Sequence, residues 1–359
     1  MKSQLKVAVI HSQFKTVGGA EIVCLAIVSA LNHAGIIPDL FSPEMPDQKL
    51  YPDMSKFNFH QTKRFLEGGK MALYRYLVNK LRLRIPSGYD IIVDTSSDTI
   101  PSRHSKTKYV CYVHNPASFI SDFSRKGIFW QLYRLPFIEI RKLMLVHDRE
   151  LSLIANSRFT ALRIKECFQL NSKAIYPPVK VNKREGIISN AREGSISVGR
   201  FSRTKRYELI VSLAKSFPNM KFIIAGSTTT PDQLHYFNHV LSLARSASNV
   251  YLITNPDRSE LEALFSKSKY FIHAMVNEDF GIATIEAIAL GCIPFVHNSG
   301  GQKEIVPFNQ LRFNDNEIIE KFEKLIESNF ESERKSLEGS VKSYSYERFS
   351  DEIIKALLY

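Results

Sequence analysis

Two glutamates, Glu278 and Glu286, stand with seven residues between them in the stretch NEDFGIATIEAIALG, residues 277–291. An apolar run ends just before this stretch, and helical periodicity begins just after Gly281. A helix N-terminus presents unpaired N–H groups that bind phosphate, and glycine lets a ligand approach the backbone closely. Carboxylates accept hydrogen bonds from the vicinal hydroxyls of a ribose or hexose. The spacing therefore predicts a site for a diphosphate that joins two sugars, although a solvated loop glutamate and a buried helix glutamate would have the same spacing.

A basic stretch, VGRFSRTKR at residues 198–206, joins the end of a predicted strand over 195–201 to the start of a predicted helix over 205–217. Arg200 and Lys205 would lie at the strand end and at the helix start, where two cations can neutralise the charge that develops on a leaving diphosphate. A solvated basic run is the simpler alternative.

Gly18 and Gly19 open the first predicted helix, residues 20–35, after a predicted strand over 5–10. Their N–H groups could meet the same diphosphate, or they could form an ordinary tight turn. His114 ends a predicted strand over 108–114. Parallel α/β sheets bind ligands at the carboxyl ends of their strands, so a histidine there is a candidate for the site.

We predict no metal site. The ten histidines show no HExxH spacing, and the stretch DTSSD at residues 94–98 lacks the spacing of an Asp-x-Asp clamp. The cysteines lie far apart, which argues against a disulfide framework or a zinc site and favours a reducing compartment. They are Cys24, Cys111, Cys167 and Cys292.

Strand and helix patterns alternate through both halves of the chain, which predicts an α/β protein of two doubly wound domains with a ligand cleft between them. We expect an N-terminal domain over residues 1–180, a polar linker over 181–194 and a C-terminal domain over 195–345. A final helix over 346–359 should pack back on the first domain. Further strands are predicted at 89–95, 151–157, 220–227, 249–254, 269–275 and 293–298. Residues 174–181 should form an extended exit from the first domain, because Pro177-Pro178 forbids a helix.

The net charge of +12 is concentrated in the first half: residues 1–185 contain 28 basic and 15 acidic residues. Two stretches, 70–85 and 123–145, mix aromatic with basic side chains, which suits an anionic membrane surface. Core helices with solvated basic faces would give the same composition. Nucleic acid fits less well because no DNA- or RNA-reading motif is present. We expect no membrane-spanning segment and no signal peptide.

The two spaced glutamates, with Phe280-Gly281 after the first and Gly300-Gly301 further on, resemble the donor-site signature of family 4 glycosyltransferases of the GT-B fold. Four other stretches resemble segments of that family in the expected order. They are GGAE at 18–21, LIANSRFT at 153–160, IYPPV at 175–179 and VGRFSRTKR at 198–206.

The resemblance implies a GT-B fold of two Rossmann-like domains, a nucleotide-sugar donor bound without metal, and transfer with retention of configuration. The implied catalytic residues are His114, Glu278, Arg200 and Lys205, with Glu278 orienting the donor sugar rather than attacking it. The implied donor-binding residues are Gly18, Gly19, Arg200, Lys205, Glu278, Phe280, Gly281, Ile282, Thr284 and Glu286.

A narrower resemblance, carried by HNSGGQKEIV (297–306), YVHNP (112–116) and YPPV, is to the α-1,2-mannosyltransferases that extend lipid-linked oligosaccharides. It implies GDP-mannose as donor, a polyprenyl-diphosphate-linked glycan as acceptor, and a peripheral position on the cytoplasmic face of a membrane. Gln302 departs from that pattern, where proline is frequent.

Four alternatives remain from the sequence: a UDP-sugar transferase with a soluble acceptor, a nucleotide-sugar epimerase, a phosphorylase and a non-catalytic nucleotide-sugar-binding protein. A phosphorylase would need a recognisable pyridoxal-phosphate lysine, and none is evident. A Rossmann dehydrogenase is disfavoured because GxGxxG is absent after the first predicted strand.

Overall fold

The computed structural model divides the chain into two compact units, Met1–Pro178 with Tyr346–Tyr359, and Val179–Ser345. The first is called unit 1 and the second unit 2. Most of the predicted stretches 70–85 and 123–145, and most of the predicted linker 181–194, lie outside the described residues. The structure describes residues 5–14, 18–49, 51, 54–63, 83, 85–96, 107–115, 132, 135–136, 151–180 and 192–359.

The strands and helices are numbered in chain order. The strands are β1 Val7–Ile10, β2 Asp39–Ser42, β3 Asn58–Gln61, β4 Ile91–Asp94, β5 Lys108–Val113, β6 Leu151–Ala155, β7 Lys173–Ala174, β8 Ser195–Val198, β9 Phe222–Gly226, β10 Val250–Thr254, β11 Tyr270–His273, β12 Ile293–His297 and β13 Arg312–Phe313. The helices are α1 Gly19–His33, α2 Arg158–Phe168, α3 Tyr207–Ser216, α4 Pro231–Ala244, α5 Arg258–Lys267, α6 Ile282–Ala289, α7 Gln302–Ile305, α8 Ile318–Glu327, α9 Glu331–Ser340 and α10 Tyr346–Leu358.

Unit 1 is built on a parallel seven-stranded sheet in the order β3-β2-β1-β4-β5-β6-β7. Central strands such as β1 and β4 are buried on both faces, which explains their uninterrupted apolar sequence. The direction of winding reverses between β1 and β4, so their carboxyl ends define the place where such a sheet binds ligands.

The last helix, α10, completes the core of unit 1. Its Phe349, Ile353 and Leu357 are fully buried in the cluster that also contains the apolar face of α1. Lys108 on β5 donates from Nζ to the carbonyls of Ala356 (3.2 Å) and Leu357 (2.9 Å). A cation that binds the last carbonyls of a helix also stabilises the helix dipole.

Unit 2 is built on a parallel six-stranded sheet in the order β10-β9-β8-β11-β12-β13. Its winding reverses between β8 and β11. The basic stretch of residues 198–206 leaves the end of β8, and the loop with Glu278 leaves the end of β11. Both motifs therefore start at the ligand-binding edge of this sheet.

The predicted α/β fold is confirmed, but several predicted boundaries were wrong. The predicted extended exit over 174–181 begins at the last residue of β7, and residues 175–180 are in neither a helix nor a strand. The predicted helix over 205–217 begins at Tyr207, because Arg206 adopts a left-handed conformation (φ 56°) that separates α3 from the short 3₁₀ helix Arg203–Lys205.

Candidate functional site

Glu278 is the centre of a compact polar cluster in unit 2. Its Oε2 accepts a hydrogen bond from Nζ of Lys205 (2.6 Å) and lies 3.0 Å from Nε2 of His273. The structure thus brings two predicted residues together and adds a histidine that was not predicted. His273 is the last residue of β11 and is almost completely buried.

The cluster fixes the charge of each member. Burial alone would raise the pKa of Glu278, but the charge of Lys205 and the hydrogen bond from His273 hold that pKa well below its usual range. Burial and the Lys205 charge lower the pKa of His273. Glu278 is therefore a carboxylate at neutral pH, and a neutral His273 donates to it through Nε2.

The loop that carries Glu278 is held by the Gly300-Gly301 pair. Gly301 N–H donates to the Glu278 carbonyl (2.7 Å). A Cβ on Gly300, whose φ is +68°, would lie 2.4 Å from that carbonyl oxygen, and one on Gly301 would lie 2.4 Å from the Asp279 carbonyl oxygen. The later glycine pair therefore serves close backbone packing under the glutamate.

Gly281, Phe280 and Thr284, at the start of α6, are packed against other parts of unit 2, while Ile282 is half-buried. Gly281 caps the helix with φ +110°, and a Cβ there would meet Gln302 Nε2 at 2.6 Å. The Thr284 hydroxyl donates to Gln302 Oε1 (2.9 Å) and is fully buried, while the Phe280 ring packs edge-on against Tyr344. Donor binding by Phe280, Ile282 and Thr284 stays a prediction. Because the side chains of Phe280 and Thr284 are buried, these two residues would contact the donor through their backbone atoms.

Glu286 forms an ion pair that the sequence did not indicate. Its Oε1 lies 2.5 Å from a terminal nitrogen of Arg258, at the start of α5. Burial raises the pKa of Glu286, and Arg258 opposes that rise without cancelling it. The side chain retains 13% exposure, so a ligand can still reach it.

Arg200 lies in the loop after β8, two residues beyond its end, and is exposed. Within the described ranges it has no hydrogen bond or ion pair. An exposed guanidinium beside the carboxyl end of a strand can bind an anion bidentately. Its predicted part in donor binding stays a prediction.

His114 lies directly after β5 in unit 1. Burial, with a smaller contribution from His11, lowers its pKa to about 3. The ring is therefore neutral at physiological pH, and its Nε2 is buried with no hydrogen-bond partner in the described part of the chain. A neutral imidazole whose ring nitrogen has no partner can form a hydrogen bond with a sugar hydroxyl, but it supplies no positive charge.

The N-terminus of α1 already faces a carboxylate. Gly18 caps this helix, and a Cβ there would lie 2.6 Å from Oε2 of the buried Glu21. The glycine thus makes room for the Glu21 side chain. Diphosphate binding by Gly18 and Gly19 stays a prediction.

Sequence reasoning missed His273 and Arg258, yet each has a local signal. His273 interrupts an apolar strand at its carboxyl end, five residues before Glu278. Arg258 places a cation in the first turn of a helix, where the helix dipole favours acidic residues. In each case a residue departs from the pattern of its own element.

Comparison with known proteins assigns residues 180–356 to a family model described as glycosyl transferases group 1. The chain is 24% identical to the alpha-1,3/1,6-mannosyltransferase ALG2 of Kluyveromyces lactis, over 86% of this chain and 72% of that protein. It is 25% identical to the GDP-Man:Man(3)GlcNAc(2)-PP-Dol alpha-1,2-mannosyltransferase of Candida glabrata, over 53% of this chain and 41% of that protein. The chain thus spans well under the full length of the second relative.

Among solved structures, the chain is similar to WaaG, a glycosyltransferase involved in lipopolysaccharide biosynthesis. The TM-score is 0.74 at 13% identity, with 98% of this chain and 99% of that chain covered. At this identity the likeness concerns the fold. It agrees with the two parallel sheets described above and confirms the predicted GT-B architecture.

Proposed function

Because this chain is a glycosyltransferase with a group 1 domain on a GT-B fold, we propose that it transfers mannose from GDP-mannose to a lipid-linked glycan. The observation that carries the proposal is the Lys205–Glu278–His273 cluster at the ligand-binding edge of unit 2. The choice of mannose and of a lipid-linked acceptor is supported by the names of the two mannosyltransferase relatives, which match 86% and 53% of this chain.

In this proposal the donor lies against unit 2, with its diphosphate at the first turn of α6. Lys205 and Arg200 stabilise the charge that grows on the leaving GDP, and Glu278 orients the mannose. The bond between the sugar C1 and the β-phosphate oxygen breaks, and a bond from C1 to the acceptor oxygen forms on the same face. The departing phosphate takes the acceptor proton. The configuration is retained because the new bond forms on the face that the leaving group vacates.

We propose that no metal ion takes part, because Lys205, Arg200 and the N–H groups of α6 supply the positive charge at the diphosphate. EDTA should therefore leave the rate of transfer nearly unchanged. Complete loss of transfer that Mn²⁺ restores would contradict this part of the proposal.

A donor panel followed by a transfer assay tests the proposed function. GDP and GDP-mannose should raise the unfolding temperature more than UDP, ADP and their sugars, because a ligand that binds only the folded state stabilises it. With radiolabelled GDP-mannose and a dolichyl-diphosphate oligosaccharide, label should enter the lipid product, and an α-mannosidase should release it.

The remaining alternatives give different results in the same assay. Stabilisation by UDP and UDP-sugars with transfer to a soluble acceptor would replace the proposal. Conversion of the donor sugar without any acceptor would indicate an epimerase. Tight nucleotide-sugar binding with neither reaction would indicate a non-catalytic binding protein.

We further propose that unit 1 binds the cytoplasmic face of an anionic membrane. The basic and aromatic stretches of residues 70–85 and 123–145 support this interpretation. In the described part of the chain, no helix has the length and apolarity needed to span a bilayer. Each basic side chain near an anionic surface contributes about 1 kcal/mol, and salt screens the attraction.

The protein should therefore sediment with anionic vesicles at low ionic strength and dissociate as salt is added. A quadruple serine variant of Arg125, Lys126, Arg141 and Lys142 should sediment less while still binding GDP. A matched variant removes four positive charges from exposed positions in unit 2 and should sediment like the wild type. Its changes are at Lys215, Lys267, Lys269 and Lys335. If the wild type does not sediment with anionic vesicles at low salt, the membrane part of the proposal is refuted.

A further inference from the structure

Arg258 is the first residue of α5, where a cation is unfavourable. The helix begins with a capping box in which Asp257 accepts from the Glu260 N–H (2.8 Å) and the Glu260 side chain accepts from the Asp257 N–H (3.2 Å). These carboxylates suit the positive end of the helix dipole, and an arginine beside them does not. A residue that breaks the charge preference of its own helix is often placed there for function.

The Arg258 guanidinium joins three separate segments of unit 2. Its Nε donates to Glu262 (2.8 Å), one terminal nitrogen to Glu286 (2.5 Å) and the other to the carbonyl of Lys180 (3.0 Å). Because a guanidinium is planar and rigid, three such contacts fix its orientation. They also fix Oε1 of Glu286 in α6.

Only one oxygen of Glu286 is taken up by this contact. Its Oε2 has no hydrogen bond within the described ranges, and the side chain remains 13% exposed. Glu286 therefore presents one held oxygen and one available oxygen.

We propose that Arg258 is a positioning residue that holds one oxygen of Glu286 so that the other can accept from the ribose of the nucleotide. This inference rests on the proposed function, because it deepens the part assigned to Glu286 in donor binding. Arg258 itself need not touch the nucleotide, since its three nitrogens each already donate to the protein.

Loss of Arg258 should make nucleotide binding depend on pH. Glu286 faces the Arg258 cation and, more weakly, the Glu262 carboxylate. Burial and Glu262 raise the pKa of Glu286, and Arg258 lowers it. Without Arg258 that pKa must rise further, so a larger fraction of Glu286 is protonated as the pH falls, and the protonated group is a weaker acceptor.

The experiment compares GDP affinity by calorimetry at pH 8 and pH 6 for wild type, Arg258→Met and Arg258→Lys. The terminal phosphate of GDP itself titrates near pH 6, at about the value of other phosphate monoesters. The informative quantity is therefore the ratio of variant to wild-type Kd at each pH. For Arg258→Met this ratio should be larger at pH 6 than at pH 8, while Arg258→Lys, which keeps the charge, should hold it constant.

Arg334→Met is the matched control. Arg334 on α9 also pairs with two glutamates, Glu331 and Glu338, and within residues 192–359 it makes no hydrogen bond or ion pair with Glu286. Its Kd ratio should be the same at both pH values. If Arg258→Met does not fold, Arg258→Gln removes the same charge with a polar side chain.

The outcomes separate the inference from the function on which it rests. Suppose that the wild type binds GDP and that the Kd ratio of Arg258→Met to wild type is equal at pH 6 and pH 8. The role of Arg258 would then be purely structural, and the inference alone would be overturned. Wild-type protein that does not bind GDP would overturn the proposed function, and the inference with it.

Discussion

Replacing Lys205 with alanine should lower kcat by about 10²- to 10³-fold while raising the KM for the donor much less. Loss of one preorganised group that stabilises developing charge costs about this much in other enzymes. Lys205 lies 2.6 Å from Glu278 and, in the proposed reaction, beside the diphosphate whose charge grows in the transition state. An interaction that strengthens in the transition state appears mainly in kcat.

Steady-state kinetics with GDP-mannose measures this effect, and two further variants interpret it. Lys205→Arg keeps the charge and should recover part of kcat. Lys321→Ala removes a lysine that pairs with Glu317 (3.1 Å) and has no assigned part in donor binding, and it should leave both constants unchanged. A rise in KM with unchanged kcat for Lys205→Ala would mean that this lysine binds only the ground state.

Replacing Glu286 with glutamine should weaken GDP binding by about ten- to a hundredfold. The two side chains have nearly the same shape, so the change removes charge and leaves volume. A hydrogen bond to a charged partner contributes about 1.5–3 kcal/mol, which corresponds to this loss of affinity. The loss should be seen in Kd by calorimetric titration, with a native circular dichroism spectrum.

A surface ion pair provides the comparison for Glu286→Gln. Glu320 pairs with Lys324 (2.6 Å) on α8, where both side chains are about two-thirds exposed. Such pairs contribute little to stability, so Glu320→Gln should bind GDP like wild type. If the wild type and Glu286→Gln bind GDP with equal affinity, Glu286 does not bind the ribose.

The alternation of strands and helices was predictable because buried parallel strands are continuous apolar runs. β4 and β5 show this pattern clearly, and their predicted positions were close to the observed ones. β2 and β3 were not predicted. Each has four residues, and β3 is an edge strand whose mostly exposed sequence NFHQ has no apolar run or alternation.

The candidate site was predictable where a motif was compact in sequence. The spacing of Glu278 and Glu286, with Gly281 between them, locates the start of α6. The partners of these glutamates were not predictable, because they come from other segments: Lys205 is 73 residues from Glu278 and Arg258 is 28 residues from Glu286. The strand order of the sheet determines which cation lies beside which carboxylate. That order cannot be read from the spacing of the residues along the chain.

The docking of α10 on α1 affects the order in which the molecule can assemble during translation. Unit 2 is continuous in the chain, whereas unit 1 needs residues 346–358, which are made after all of unit 2. At about 5–20 residues per second, synthesis of the intervening segment takes roughly 10 to 30 s. During that time the apolar face of α1 lacks its covering helix, so the nascent N-terminal half exposes an apolar surface that a ribosome-associated chaperone could bind.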